Sequence, residues 1–303
     1  MENDYLIQKK PFNALVLFSL PIIVGNLFQQ TYTMADSAIV GRFVSEQALA
    51  AVGASYSLTN IFICVAIGGG IGSSVVVSRY FGAHHYKKMC TAIFTALIAF
   101  LAISILLGGV GLLLSEQIMT ALHTPADVLD MAIDYLNIYF LGLPFLFIYN
   151  VLSAMFNALG KSKIPLYFLI FSSLFNIALD WILVTQFQME VTGVAWATLI
   201  AQSISAVLSF GVLLRLLSSI SRENDGIFSF REIPAMVKIA LPSILQQSTV
   251  SIGMMLVQSV VNSFGSEALA GYSAGIRIQS LVIVPFTSLG NAVSSYTAQN
   301  IGA

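Results

Sequence analysis

Charged residues are scarce in this sequence: Asp, Glu, Lys and Arg make up 9% of its 303 residues, whereas hydrophobic residues make up 57%. Soluble domains carry about a quarter of their residues as charged ones, so this composition indicates an integral membrane protein. The formal net charge of −1 leaves no basic excess for nucleic acid. We therefore expect a lipid bilayer around the chain and no nucleic-acid partner.

Cysteines and catalytic motifs are also lacking. The two cysteines, Cys64 and Cys90, cannot build a disulfide framework, and they fall in or beside apolar runs, which favours ordinary packing. No HExxH or Walker sequence is present. We therefore expect no enzyme activity, no catalytic residue, no resident metal and no cofactor.

The glycine-rich stretch IGGGIGSS, residues 67–74, resembles a phosphate loop only superficially. It lacks the Gly-Lys-Ser/Thr ending, and it lies in the middle of an apolar run. Gly68 and Gly72 have the Gly-x-x-x-Gly spacing that allows two helices to approach closely. The stretch therefore predicts helix packing.

Apolar stretches long enough to cross a bilayer, about 20 residues or more, recur along the chain with short polar breaks. They predict an all-α integral membrane fold with eight transmembrane helices, here called spans 1 to 8. The predicted spans are 13–38, 48–78, 89–114, 130–156, 164–187, 191–216, 235–262 and 268–298.

The basic residues fall almost entirely on one side of these spans, and Arg42 is the exception. Because Lys and Arg accumulate in cytoplasmic loops, the N-terminus is predicted to be cytoplasmic and the protein to be a multi-pass protein of the cytoplasmic membrane. The residues on the predicted cytoplasmic side are Lys9, Lys10, Arg79, Lys87, Lys88, Lys161, Lys163, Arg215, Arg222, Arg231 and Lys238.

The sequence also repeats itself in parallel. An offset of 221 pairs Leu20-Pro21 with Leu241-Pro242, and an offset of 220 pairs Gly82-Ala83 with Gly302-Ala303. Spans 7 and 8 thus repeat spans 1 and 2, as in transporters built from parallel repeats. The predicted organisation is an amino-terminal six-helix lobe (1–216), a cytoplasmic linker (217–234) and the first two helices of a second lobe (235–303).

Counterparts of spans 3 to 6 do not follow in the second lobe. We expect the chain to be a fragment of a twelve-helix protein; the alternative is a second lobe that is incomplete by nature.

Three ionisable residues lie deep within apolar stretches: Asp36, Asp180 and Arg277. Both acids are predicted in the outer half of the membrane, and Asn176 lies one helical turn from Asp180. Burial favours the neutral form of a carboxyl group, so the two acids are candidates to hold a proton or Na⁺ reversibly. The alternative is that each acid only bonds to a neighbouring helix.

Other polar residues accompany these acids. Tyr32 lies one turn before Asp36, and Tyr135 and Tyr139 begin span 4, where an interfacial aromatic belt is the alternative to a substrate cavity. Thr198 in span 6 also fits close helix packing. Pro21 predicts either a static kink or a hinge.

Arg277 has two interpretations. It is a candidate to bind a buried acid or the substrate within the cavity, or to stabilise the lobe interface through backbone carbonyls.

Several motifs, taken in order, resemble the multidrug and toxic compound extrusion (MATE) family. They are DSAIVGRF and ALAAVGAS in spans 1 and 2, ALGKSKIP before span 5, NIALD in span 5, GVAWATLIAQ in span 6 and AQNIGA at the end. The resemblance implies a twelve-helix fold of two six-helix lobes and cation-coupled efflux of organic, often cationic, drugs.

The resemblance also implies roles for individual residues. Asp36, Asp180, Asn176 and Thr198 match the amino-lobe cation site of the branch similar to the DNA-damage-inducible members. Pro21 matches a proline proposed to bend when that site is protonated.

Tyr32 and Tyr135 fall at the spacing of cavity tyrosines. Val250 stands where another bacterial branch has an essential glutamate, so that second site is not expected. Lys161 stands where the family loop usually carries an acid.

The sequence therefore predicts an antiporter, coupled to H⁺ or Na⁺, that exports amphipathic or cationic organic compounds. A flippase of lipid-linked precursors is the first alternative, although two buried acids disfavour an anionic cargo. A non-transporting membrane subunit is the second, and a channel is a weaker third.

Overall fold

The computed structural model describes residues 5–44, 46–122, 124–220, 226–262, 264 and 266–303. Within them the chain is helical between its turns, and the eight predicted spans correspond to α2 to α9. The helices are α1 (Tyr5–Gln8), α2 (Pro11–Phe43), α3 (Glu46–Gly82), α4 (Tyr86–Ala121), α5 (Leu129–Ala158), α6 (Lys163–Thr185), α7 (Glu190–Ile220), α8 (Ile233–Asn262) and α9 (Ser266–Gly302).

The all-helical membrane fold is confirmed. Among the described residues, six helices, α2 to α7, contain a segment long and apolar enough to cross a membrane. Helices α8 and α9 are also long, with 30 and 37 residues.

The centre of the fold is α5, which packs against α3, α4 and α7. One hydrophobic cluster joins these four helices through Val77, Ile93, Phe156 and Leu213. Cys90 belongs to the same cluster and Cys64 is also buried, so the packing role predicted for both cysteines is confirmed.

Close helix contact at the glycine pair is also confirmed. A Cβ atom added to Gly68 would lie 2.6 Å from Cγ1 of Ile244, and one added to Gly72 would lie 2.6 Å from Cβ of Ala240. Both neighbours belong to α8. The glycines therefore allow α8 to lie directly against α3.

The internal repeat appears in the structure as a reciprocal contact between α3 and α9, which both have 37 residues. A Cβ on Gly82 would overlap the carbonyl oxygen of Gln299, and a Cβ on Gly302 would overlap that of Arg79. The offset of 220 residues relates Gly82 to Gly302 and Arg79 to Gln299. The two contacts are therefore symmetry-related, as expected for repeats around an axis along the membrane normal.

The described residues between α7 and α8 pack on α3 and α4. Thr91 Oγ1 donates a hydrogen bond to the Gly226 carbonyl (2.8 Å), and the Ser229 N–H donates to Thr95 Oγ1 (3.0 Å). Tyr80 donates its hydroxyl to Glu232 (2.9 Å). The described residues of the connection are thus attached to α3 and α4.

The turn between α5 and α6 is a Schellman motif. Gly160 has a φ of 72°. Its N–H bonds to the Asn157 carbonyl (3.0 Å), and the Lys161 N–H bonds to the Phe156 carbonyl (2.8 Å). Tyr5 donates its hydroxyl to the Gly160 carbonyl (3.0 Å). Burial raises the pKa of Tyr5 to about 12, so the hydroxyl remains a donor well into the alkaline range.

Gly160→Ala is expected to reduce stability by about 1–2 kcal/mol, because a side chain disfavours positive φ. A Cβ there would make only ordinary contacts at 3.5 Å, so the effect comes from the backbone. Thermal unfolding in detergent checks the prediction. Gly109→Ala, at a helical position with nothing within 4 Å, is the control, and equal stability of the two variants would contradict it.

Candidate functional site

The deepest described acid is Asp180 on α6, whose side chain is 0% exposed. Asn176, one turn earlier, is 2% exposed, and its Nδ2 donates to Thr198 Oγ1 on α7 (3.4 Å). Among the described residues no partner contacts the Asn176 Oδ1. The structure therefore joins Asn176 to Thr198 and places Asp180 one turn away on the same helix.

Two of the predicted cavity tyrosines lie beside this group. Tyr135 and Tyr139 line a cavity of about 20 Å³ together with Thr198 and Gln202. Tyr139 donates its hydroxyl to the Thr59 carbonyl on α3 (3.2 Å). A cavity of this size holds at most a water molecule, so in this arrangement the tyrosines border the polar group without forming a drug-sized chamber.

The remaining candidate residues, Asp36, Tyr32, Pro21 and Arg277, lie on α2 and α9. Asp36 lies on α2 and Arg277 on α9, but both side chains lie outside the described residues. Tyr32 is half-buried on α2. Pro21 is buried within α2, where it leaves the Leu17 carbonyl without its helical donor.

Pro21 lines a polar cavity of about 140 Å³ that the sequence analysis missed. This cavity lies between α2, α5 and α6. Asn150, Ser153 and Asn157 are spaced three, four and seven residues apart, so they share one face of α5. This spacing in the sequence indicates a polar helix face. The polar lining residues are Asn26, Gln29, Tyr149, Asn150, Ser153, Asn157 and Ser162.

Polar contacts between the lobes were also not predicted. Asn26 donates to Ser288 Oγ (2.9 Å), which joins α2 to α9. Gln299, fully buried in the AQNIGA motif, donates to the Ala158 carbonyl at the end of α5 (2.6 Å). The first bond joins the middle of α2 to the middle of α9, and the second joins the ends of α5 and α9.

The chemistry available at the Asp180 group is reversible cation binding. In a low-dielectric interior a carboxyl group either binds a proton or pairs with a cation, because an isolated charge there is costly. Nearby carboxamide and hydroxyl oxygens are ligands suited to Na⁺ as well. Among the described residues, no group of three His, Cys, Asp or Glu side chains is placed to hold a metal.

The chain matches the family model described as MatE over residues 21–182 and again over 242–303. The second match begins 221 residues after the first, at Pro242 instead of Pro21. This agrees with the repeat offset found in the sequence.

Curated relatives resemble nearly the whole chain. A probable multidrug resistance protein, YpnP of Bacillus subtilis, is 32% identical over 296 residues, which cover 97% of this chain and 66% of the relative. The multidrug export protein MepA of Staphylococcus aureus is 26% identical over 282 residues, covering 91% and 62%. The chain thus spans a little less than two thirds of the length of these relatives.

Solved structures share the fold. The outward-facing conformation of a multidrug resistance MATE family transporter of the MOP superfamily matches with a TM-score of 0.92 at 24% identity, covering 100% of this chain and 67% of that one. A MOP superfamily transporter from Pyrococcus furiosus matches with the same TM-score, identity and coverage.

Proposed function

Since the chain belongs to the MatE family, we propose that it acts in a cation-coupled antiporter that exports amphipathic or cationic organic compounds across the cytoplasmic membrane. The coupling ion in this proposal is H⁺ or Na⁺, and no further cofactor takes part. The names of the curated relatives, a multidrug resistance protein and a multidrug export protein, support this substrate class.

The observation that carries the proposal is the fully buried Asp180 beside the bonded pair Asn176 and Thr198. A buried acid within a membrane helix is costly unless it is neutral or paired, and acids at such positions commonly mark ion pathways, which favours a functional role. Asp36 would contribute the second carboxyl group from α2.

Coupling requires that the cation and the drug prefer different arrangements of the two lobes. Cation uptake at Asp180 and Asp36 from the outer side would favour release of the drug, and drug binding would favour release of the cation. By thermodynamic reciprocity each ligand lowers the affinity for the other by the same factor.

The sidedness of this cycle rests on a cytoplasmic N-terminus. The basic residues Lys9, Lys161 and Lys163 lie together at the end of the fold where α2 and α6 begin. Clustering of lysines at one membrane face supports the cytoplasmic assignment of that face.

The full-length protein in lipid vesicles is expected to move a fluorescent organic cation, such as ethidium, against its gradient when a proton or Na⁺ gradient is imposed. A pH-sensitive dye inside the vesicles is expected to report proton movement when the drug is added, if the coupling ion is H⁺. Empty vesicles, and vesicles without an ion gradient, are the controls.

The rival functions give different results in the same vesicles. A flippase would move a fluorescent phospholipid between leaflets and leave ethidium in place. A non-transporting subunit would move neither probe, and a channel would conduct ions without drug. Each of these outcomes would contradict antiport.

A further inference from the structure

A cavity of about 460 Å³ lies outside the site described above. It is formed by the short helix α1, the first turns of α2 and the α5–α6 turn. Three of its lining side chains are lysines, Lys9, Lys161 and Lys163, and none of the described residues that line it is acidic. The cavity is therefore strongly positive.

These lysines make no ion pair within the described residues; Glu2 and Asp4, which precede α1, lie outside them. The Nζ of Lys9 lies over the face of the Tyr5 ring, 5.9 Å from the ring centre. Three like charges around one cavity repel each other, so an anion bound there is stabilised by all three.

Ser162 adds a hydrogen-bonding group to the cavity. It precedes the first residue of α6, is 4% exposed, and makes no side-chain capping bond. The start of a helix carries partial positive charge and attracts anions such as phosphate. In α6 the Ile164 N–H bonds to the Lys161 carbonyl (3.0 Å) and Pro165 has no N–H, so the side chains supply most of the donors. A buried hydroxyl without a partner within the described residues, beside the start of a 23-residue helix, is suited to a phosphate oxygen.

The cavity walls are held in place before any ligand binds. Tyr5 donates to the Gly160 carbonyl, and the Asn300 Nδ2 donates to the Leu6 carbonyl (3.2 Å). Leu6 itself is fully buried. A preformed cavity binds its ligand without the cost of ordering the walls.

The apolar part of the lining points to a lipid as the source of the phosphate. Leu17 and Ile164 also line the cavity. On the adjoining α2 surface Phe12 is 77% exposed, and Val16 and Leu20 are also exposed. In the bilayer these side chains face acyl chains, so a lipid whose chains lie along them would bring its headgroup to the cavity.

We propose that this cavity binds the phosphate headgroup of an anionic membrane phospholipid, with the acyl chains along the start of α2. Basic pockets between membrane helices bind such headgroups on the cytoplasmic side. The site does not depend on the transport activity proposed above.

The test is native mass spectrometry of the full-length protein in detergent, titrated with short-chain phosphatidylglycerol, phosphatidylcholine or inorganic phosphate. One phosphatidylglycerol is expected to bind at least about tenfold more tightly than phosphatidylcholine. The variant Lys9→Gln/Lys161→Gln/Lys163→Gln is expected to remove this difference. Ser162→Ala, which keeps every charge, is expected to weaken phosphatidylglycerol binding severalfold.

The control variant Lys88→Gln/Arg231→Gln removes two exposed basic residues of the same predicted membrane face that do not line the cavity. It is expected to bind as the parent protein does. Equal losses in the control and the cavity variants would indicate a diffuse surface charge and overturn the proposal. Equal affinity for the two lipids, or inorganic phosphate that displaces phosphatidylglycerol at similar concentration, would overturn it too.

Discussion

Replacing Asp180 with asparagine is expected to lower drug-evoked proton release in vesicles by about one to two orders of magnitude. Coupling free energies between two ligands are about 1–3 kcal/mol, or about 5- to 150-fold. Asparagine keeps the size and hydrogen-bonding capacity of the fully buried side chain, but it has no proton to exchange. The loss is therefore expected in coupling rather than in folding.

The coupling also predicts a change in drug affinity measured without a gradient. In the parent protein, affinity for an organic cation is expected to fall as the pH falls, because protons and drug compete. In Asp180→Asn that pH dependence is expected to flatten, and in Asp180→Glu to be partly retained. Fluorescence titration of ethidium from pH 5 to 9 measures all three.

Glu190→Gln is the matched control, because Glu190 is an exposed acid at the start of α7. It is expected to leave proton release and the pH dependence unchanged. Thermal unfolding of each variant verifies that it is folded. If Asp180→Asn and Asp36→Asn both release protons as the parent does, the proposed cation site is wrong.

Replacing Gly82 and Gly302 with alanine is expected to separate α3 from α9. Each added Cβ would overlap a backbone carbonyl oxygen of the facing helix, of Gln299 or Arg79. A backbone atom moves only with its helix, and overpacking of this kind costs about 1–3 kcal/mol. The ratio of the separated to the closed arrangement is expected to rise by about 5- to 150-fold.

Pulsed electron paramagnetic resonance measures this shift. Spin labels at Lys88 and Ile301, both exposed, report the distance between the start of α4 and the end of α9 after Cys64 and Cys90 are replaced by alanine. A second, longer distance between the two labels is expected in each glycine variant. The fraction of molecules with that longer distance is expected to be largest in the double variant.

Gly211→Ala tests whether a glycine-to-alanine change in a helix, without a facing backbone atom, also lengthens the distance between the labels. A Cβ there meets nothing within 4 Å, and alanine favours a helix by up to about 1 kcal/mol over glycine. An unchanged distance and equal or higher stability are expected. A Gly82→Ala variant that behaves like Gly211→Ala would show that the reciprocal contact does not hold the lobes together.

Much of this protein follows from local sequence features. Hydropathy alone located the eight long helices, and their ends differ from the predicted spans mainly because helices continue into interfacial residues that are less apolar, as α4 does from Tyr86 to Ala121. The repeat was readable because equivalent residues, such as Pro21 and Pro242, keep their order. Asp180 was conspicuous because an acid is rare within an apolar run.

Only the tertiary structure decided which residues meet. The bond from Asn176 to Thr198, the reciprocal contact of Gly82 and Gly302 with the facing helices, and the cavity shared by Lys9 and Lys161 each join segments distant in sequence. Such contacts depend on how each helix is rotated and on how closely it crosses its neighbour. Hydropathy fixes neither quantity, because nearly all sides of a membrane helix are apolar.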